Sequence, residues 1–107
     1  MLLKSFKDGK NHNFLNAKLR LEWTIEFFDG LSYVHKNKIC HRDLKPSNLF
    51  LFKNKSKIYQ MSIKIGDFGL SKEISDSFVD TPNVGTYHYQ SPEIVKKEQY
   101  SFKTDVW

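Results

Sequence analysis

From about Asn16 to Lys36 the apolar residues Ala17, Leu21, Ile25, Phe28, Leu31 and Val34 recur at spacings of four, four, three, three and three. That is the period of an α-helix, in which every third or fourth side chain returns to the same face. Arg20, Glu22, Glu26 and Asp29 fall mostly on other faces, whereas Trp23, Phe27 and Tyr33 widen the apolar surface beyond one stripe. The helix is therefore expected to be covered on more than one side. Gly30 lies inside the pattern, costs about 1 kcal/mol relative to alanine, and reads as a place where another backbone comes close.

Beyond Lys36 the period changes. Short apolar runs alternate with turn residues at Ile39-Cys40, at Leu49-Phe50-Leu51-Phe52 and from Met61 to Ile65, and these read as short strands. Lys53 to Lys57 form a polar run suited to a solvated hairpin loop, and Met1 to Asn13 read as a short helical turn followed by a loop. Ser71 to Asn83 are polar, with Pro82 near the end, and form a long irregular segment of the kind that compact domains use for function. One long helix followed by short strands is an α+β pattern.

Composition narrows the setting. With 39% hydrophobic and 27% charged residues the chain can build a core, but 107 residues bury only part of their unfolded surface. Cys40 is the single cysteine, so no internal disulfide can form, and Met1 to Ser5 carry no secretory run. An intracellular, cytoplasmic location is expected. No stretch approaches the roughly 18 apolar residues of a membrane span, so no membrane is expected as a partner. The net charge of +5 is spread from Lys4 to Lys103. It suits phosphate handling, and with no motif of the nucleic-acid modules present, nucleic acid is not expected as a partner.

Four elements carry chemistry. His41-Arg42-Asp43-Leu44-Lys45-Pro46-Ser47-Asn48 matches H-R-D-L-x-x-x-N. Its five fixed residue types would coincide by chance at about one starting position in a few million. Gly66-Asp67-Phe68-Gly69 follows, with Asp67 24 residues after Asp43 and directly behind the apolar run Ser62 to Ile65. Gly85-Thr86-Tyr87-His88-Tyr89-Gln90-Ser91-Pro92-Glu93 stands where an A-P-E element would, with Ser91 in place of alanine. Phe102 to Trp107 complete the set. In this order they resemble the catalytic domain of eukaryotic serine/threonine protein kinases, over essentially the whole chain.

That resemblance implies a protein-kinase-like α+β fold, with residues 1–107 as a partial C-terminal lobe, mainly helical with short β-hairpins in the catalytic and metal-binding loops. The Gly-rich loop, the strand lysine and the helix glutamate of the family pattern are not in the sequence, nor is an arginine to pair with Glu93. The chain is therefore expected to be part of something longer, poorly stable and inactive alone.

Phosphoryl transfer passes through a loose transition state, so catalysis is mainly positioning and electrostatic stabilisation. Asp43 is the carboxylate expected to take or orient the proton of the attacking hydroxyl. Lys45 is placed to offset charge on the transferred phosphate of ATP. Asn48 and Asp67 supply the oxygen ligands that Mg²⁺ prefers. The resemblance also makes His41 structural, Arg42 a docking point for a phosphate on the activation segment, Phe68 an apolar packing residue, and Asp105 a buried anchor for the catalytic loop. His35 reads as an ordinary core or surface residue.

Lys45 and Thr86 favour serine and threonine hydroxyls of a protein substrate. Ser71, Ser75, Ser77 and Thr81 are candidate phosphorylation sites, with Thr81, four residues before Gly85, preferred. Within the family, Asp43 to Phe50 and Val84-Gly85-Thr86 look similar to the kinases of translation initiation factor 2α and to never-in-mitosis-type kinases. Extra residues around Asn54 to Gln60 extend a hairpin loop away from the chemistry. The alternative reading is a non-catalytic kinase-like module that acts by binding partners.

Overall fold

The computed structural model describes residues 17–57, 60–75 and 84–107. Readings that concern Met1 to Asn13, and Ser77 and Thr81 in the irregular segment, lie outside the described residues.

Helix α1 spans Ala17–Lys36. Its last turn carries Lys36, whose positive charge suits the negative end of the helix dipole. The helix closes through Lys38, in the left-handed region at φ 60, whose N–H donates to the His35 carbonyl at 2.9 Å. The side chain of Asn37 caps the Tyr33 carbonyl at 2.8 Å.

Strand β1 (Ile39–Cys40) follows, then β2 (Leu49–Lys53), β3 (Met61–Ile65) and β4 (Lys72–Glu73). β2 and β3 form an antiparallel hairpin in which Leu49 faces Ile65 and Lys53 faces Met61. β1 pairs antiparallel with β4, Ile39 opposite Glu73 and Cys40 opposite Lys72. The first three strands match the apolar runs in the sequence. β4 arises inside the segment read as irregular, because Lys72 and Glu73 carry no apolar signal and are extended only by pairing with distant β1.

A short helix α2 (Pro92–Val95) and 3₁₀ turns at Pro46–Asn48, Tyr87–Tyr89 and Phe102–Val106 complete the elements. Cys40, Ile74, Ile94 and Tyr100 form the buried core, with Val84 and Phe102 packed against it. This core sits directly beneath the H-R-D-L loop.

The covered face of α1 differs from the stripe that its spacing suggests. Leu19 and Leu31 are buried, yet Leu21, Ile25 and Phe28 are each more than half exposed, and Tyr33 is 71% exposed. α1 meets strand β3 of the hairpin and β1, and its last turn also meets the 3₁₀ turn at Phe102–Val106 through His35. Gly30 faces a side chain rather than a backbone: a methyl group there would lie 3.6 Å from Ile65 Cδ1, an ordinary contact. Polar bonds also tie helix to hairpin. Glu26 accepts from the Ile63 N–H at 2.8 Å and the Ser62 hydroxyl at 3.1 Å, and its carboxylate lies 3.2 Å from Lys57.

Phe102–Val106 forms a 3₁₀ turn in which Asp105 is buried while Val106 and Trp107 are exposed.

Candidate active site

The H-R-D-L loop turns between β1 and β2 around one buried carboxylate. Asp105 Oδ2 accepts from the His41 N–H and Oδ1 from the Arg42 N–H, both at 2.8 Å, and Oδ2 also lies 2.8 Å from His35 Nε2. Hydrogen bonds to a charged group contribute about 1.5–3 kcal/mol each, so the loop's entry is firmly fixed. The anchoring role expected of Asp105 is therefore seen in the geometry. His35, read from sequence as an ordinary residue, is part of the anchor.

His41 is fully buried. Its Nε2 pairs with the Gly66 carbonyl at 3.0 Å and its Nδ1 accepts from the Asp43 N–H at 3.3 Å. The tautomer with its proton on Nε2 satisfies both bonds. The ring packs 4.8 Å from that of Phe68, so the histidine ties the two motif loops together and is structural, as expected.

Asp43 projects from this loop into a compact polar cluster. Its Oδ2 accepts from Lys45 Nζ at 2.7 Å and from the Asn48 amide at 3.2 Å. Its Oδ1 accepts from the Thr86 N–H at 2.8 Å and the Thr86 hydroxyl at 2.7 Å. Lys45 also donates to the Thr86 hydroxyl at 2.5 Å. Burial pushes the Asp43 carboxyl's pKa up, but the bonds from Lys45 and Thr86, helped by the lysine's charge, together hold it below the ordinary carboxylate value. The cluster stays ionised and open to solvent through Lys45, whose side chain is 23% exposed. Thr86 entered the sequence reading only as a hint of substrate class. Its contact with Asp43 spans 43 residues and has no local signal.

Gly85 makes that contact possible. Its φ is +91°, and a Cβ there would sit 2.4 Å from the Arg42 carbonyl oxygen. The segment can cross the catalytic loop only where a side chain is missing.

Asn48 and Asp67 arrive at the same end of the β2–β3 hairpin. The Gly66 N–H donates to the Asn48 carbonyl at 2.9 Å, continuing the ladder one step past the Leu49–Ile65 pair. The Asn48 amide nitrogen is committed to the Asp43 carbonyl at 2.8 Å and to Oδ2, which leaves Oδ1 as the atom available to a cation. Asp67 lies in the left-handed region at φ 59, with an exposed carboxylate whose one hydrogen bond is a 3.4 Å contact from the Gly69 N–H. One amide oxygen and one little-used carboxylate are hard donors that fit Mg²⁺ shared with phosphate oxygens and water. Among the described residues no group of three or more His, Cys, Asp or Glu could hold a metal by itself. Asp43 and Asn48 are in direct contact, whereas Asp67 joins them through Gly66.

The partners of the Arg42 side chain are uncharged: the Leu70 carbonyl, 2.6 Å from Nε, and the Tyr100 hydroxyl, 3.0 Å from Nη1. Glu93 accepts from the Thr104 hydroxyl at 2.7 Å. Thr81 lies outside the described residues. Cys40 is buried against this site, and its burial, then the nearby Asp105 carboxylate, push the thiol's pKa far up, so it is inert packing.

A long helix and two small antiparallel sheets, carrying the H-R-D-L and D-F-G loops at one end, define a protein-kinase-like α+β fold. The protein kinase domain family matches residues 2–107, and the chain belongs to that family. It is 42% identical over 88 residues to the serine/threonine-protein kinase Nek11 of Homo sapiens, an alignment covering 81% of this chain and 13% of that protein. It is 38% identical over 113 residues to mitogen-activated protein kinase kinase kinase 13-B of Xenopus laevis, covering all of this chain and 11% of the relative. With eukaryotic translation initiation factor 2-alpha kinase 1 of Plasmodium falciparum the identity is 37% over 106 residues, covering 97% and 6%. The chain thus spans about an eighth or less of the length of these curated relatives. Both groups that the motifs resemble are represented, together with a third. Among the described residues no helix is long and apolar enough to cross a membrane.

Proposed function

We propose that residues 1–107 form the C-terminal-lobe portion of a protein kinase domain that transfers the terminal phosphoryl group of ATP to serine or threonine hydroxyls of a protein. The observation that carries this reading is the Asp43 cluster: a buried, ionised carboxylate bonded to Lys45, Asn48 and Thr86. The hydroxyl oxygen of the substrate bonds to the terminal phosphorus, the bond to the ADP oxygen breaks, and the hydroxyl proton passes to the Asp43 carboxylate. Lys45, already beside Asp43, offsets negative charge on the moving group. Asn48 Oδ1 and the Asp67 carboxylate are the residues to hold Mg²⁺, which when bound neutralises phosphate charge. Arg42, with no acidic partner among the described residues, is the proposed receiver of a phosphate on Thr81. A cytoplasmic setting is part of the proposal.

The test is phosphoryl transfer from ATP to serine- and threonine-containing peptides by the kinase domain that includes these residues. Asp43→Asn is expected to lower kcat at least about a hundredfold while leaving ATP affinity nearly unchanged. Mass spectrometry of the active protein is expected to find phosphate on Thr81. Equal turnover by wild type and Asp43→Asn contradicts the catalytic role, and partner binding without any transfer supports the non-catalytic reading instead.

A further inference from the structure

Arg42 sits in the left-handed region at φ 68, immediately before Asp43, a conformation that needs support from its surroundings. Its N–H is held by Asp105, its carbonyl faces Gly85, and its guanidinium ends between the Leu70 carbonyl and the Tyr100 hydroxyl. Among the described residues no carboxylate lies within ion-pair distance of it. The two acceptors differ in kind. Leu70 is an exposed residue following the D-F-G loop, whereas Tyr100 is 1% exposed and packed with Cys40, Ile74 and Ile94. The core therefore fixes where the phenol oxygen is, whatever the loops do. The guanidinium carbon also lies 5.9 Å from the Tyr100 ring centroid, within reach of the ring's negative face.

We infer that Tyr100 is a positioning residue for Asp43, acting through Arg42: the buried phenol holds the guanidinium, and Arg42 in turn fixes the strained backbone that presents the carboxylate. The inference rests on the reading of Asp43 as the reacting carboxylate. It carries a regulatory consequence. Arg42 is placed by the core before any phosphate reaches the activation segment, so a phosphate there reinforces an arginine already in position.

Tyr100→Phe tests this, because it keeps the ring and removes only the oxygen. In the ¹⁵N-labelled kinase domain that includes these residues, the Arg42 Nη1–H signal, the one bonded to the phenol, is assigned by its loss in Arg42→Lys. The Thr86 N–H, which donates to Asp43 Oδ1, reports on the carboxylate. In Tyr100→Phe with an unchanged circular dichroism spectrum, both protons are expected to exchange with solvent about tenfold faster or more. Either proton keeping its wild-type rate overturns the inference: the phenol then does not hold the arginine, or holds it without positioning the carboxylate. If Tyr100→Phe unfolds, Arg42→Lys leaves the core intact and cannot reach both acceptors. The same acceleration is expected at Thr86, and a wild-type rate there overturns the inference. Phosphoryl transfer measured in parallel separates the two readings, since accelerated exchange in a protein whose wild type transfers nothing contradicts the proposed function and leaves the role of Tyr100 standing.

Discussion

At Gly85 one missing methyl group decides whether the chain can cross its own catalytic loop. An alanine there must adopt a φ of +91° and place its Cβ 2.4 Å from the Arg42 carbonyl, which is closer than atoms can approach. Gly85→Ala is expected to cost about 1–3 kcal/mol in backbone strain alone and to pull Thr86 away from Asp43. Denaturant unfolding and the Thr86 amide signal measure both effects, and a variant of wild-type stability with an unshifted Thr86 amide would contradict this account. At this scale the sequence was legible wherever a motif fixes the residue type. Asp43, Lys45, Asn48 and the structural His41 stand together as the spacing suggests. What the sequence hid are partners brought from afar. His35 meets Asp105 across 70 residues, and Tyr100 meets Arg42 across 58. Neither pairing leaves a periodic trace, because each is set by how β1 and the 3₁₀ turn at Phe102–Val106 stack.

Among the elements, the junction of α1 with the β2–β3 hairpin is tied by Glu26. Its carboxylate is the sole partner of the Ile63 N–H, which makes no bond within the ladder pairing of β2 and β3. Glu26→Ala leaves that donor without a partner and takes away the acceptor of the Ser62 hydroxyl proton, and is expected to destabilise the protein by about 1–3 kcal/mol near neutral pH. Burial raises the Glu26 pKa, but bonds from Ile63, Lys57 and Ser62 and the charge of Lys57 together hold it below the ordinary 4.5. A carboxyl lowered by folding stabilises the folded state above its unfolded value and loses that effect as pH falls through the folded one. The gap between wild type and Glu26→Ala is therefore expected to narrow below about pH 4.5. Urea midpoints across the acid range check this, and a pH-independent gap would assign the loss to packing instead. The period of α1 revealed the helix itself, and three of the four strands announced themselves as apolar runs. Which face of α1 is covered was not legible. Leu19 and Leu31 are buried and Leu21, Ile25 and Phe28 are not, and Glu26, which a hydrophobic pattern counts as outward-facing, bonds to the hairpin.

On the scale of the whole molecule, the fold's achievement is to bring two loops 24 residues apart in sequence to one edge. The hairpin does this through a single added rung, Gly66 N–H to Asn48 carbonyl, which pairs the residue before Asp67 with the residue that already touches Asp43. From the sequence, H-R-D-L and D-F-G flank a hairpin whose strands are apolar, and the shared ion site is proposed from that order. The most direct measurement is paramagnetic broadening by Mn²⁺ in the presence of ATP, with Mn²⁺ standing in for Mg²⁺. The amide signals of Asn48 and Asp67 are expected to broaden first, while Ser56, in the turn at the far end of the hairpin, stays sharp. Sharp signals at Asn48 and Asp67, or equal broadening at Ser56, would contradict a shared ion site at this edge.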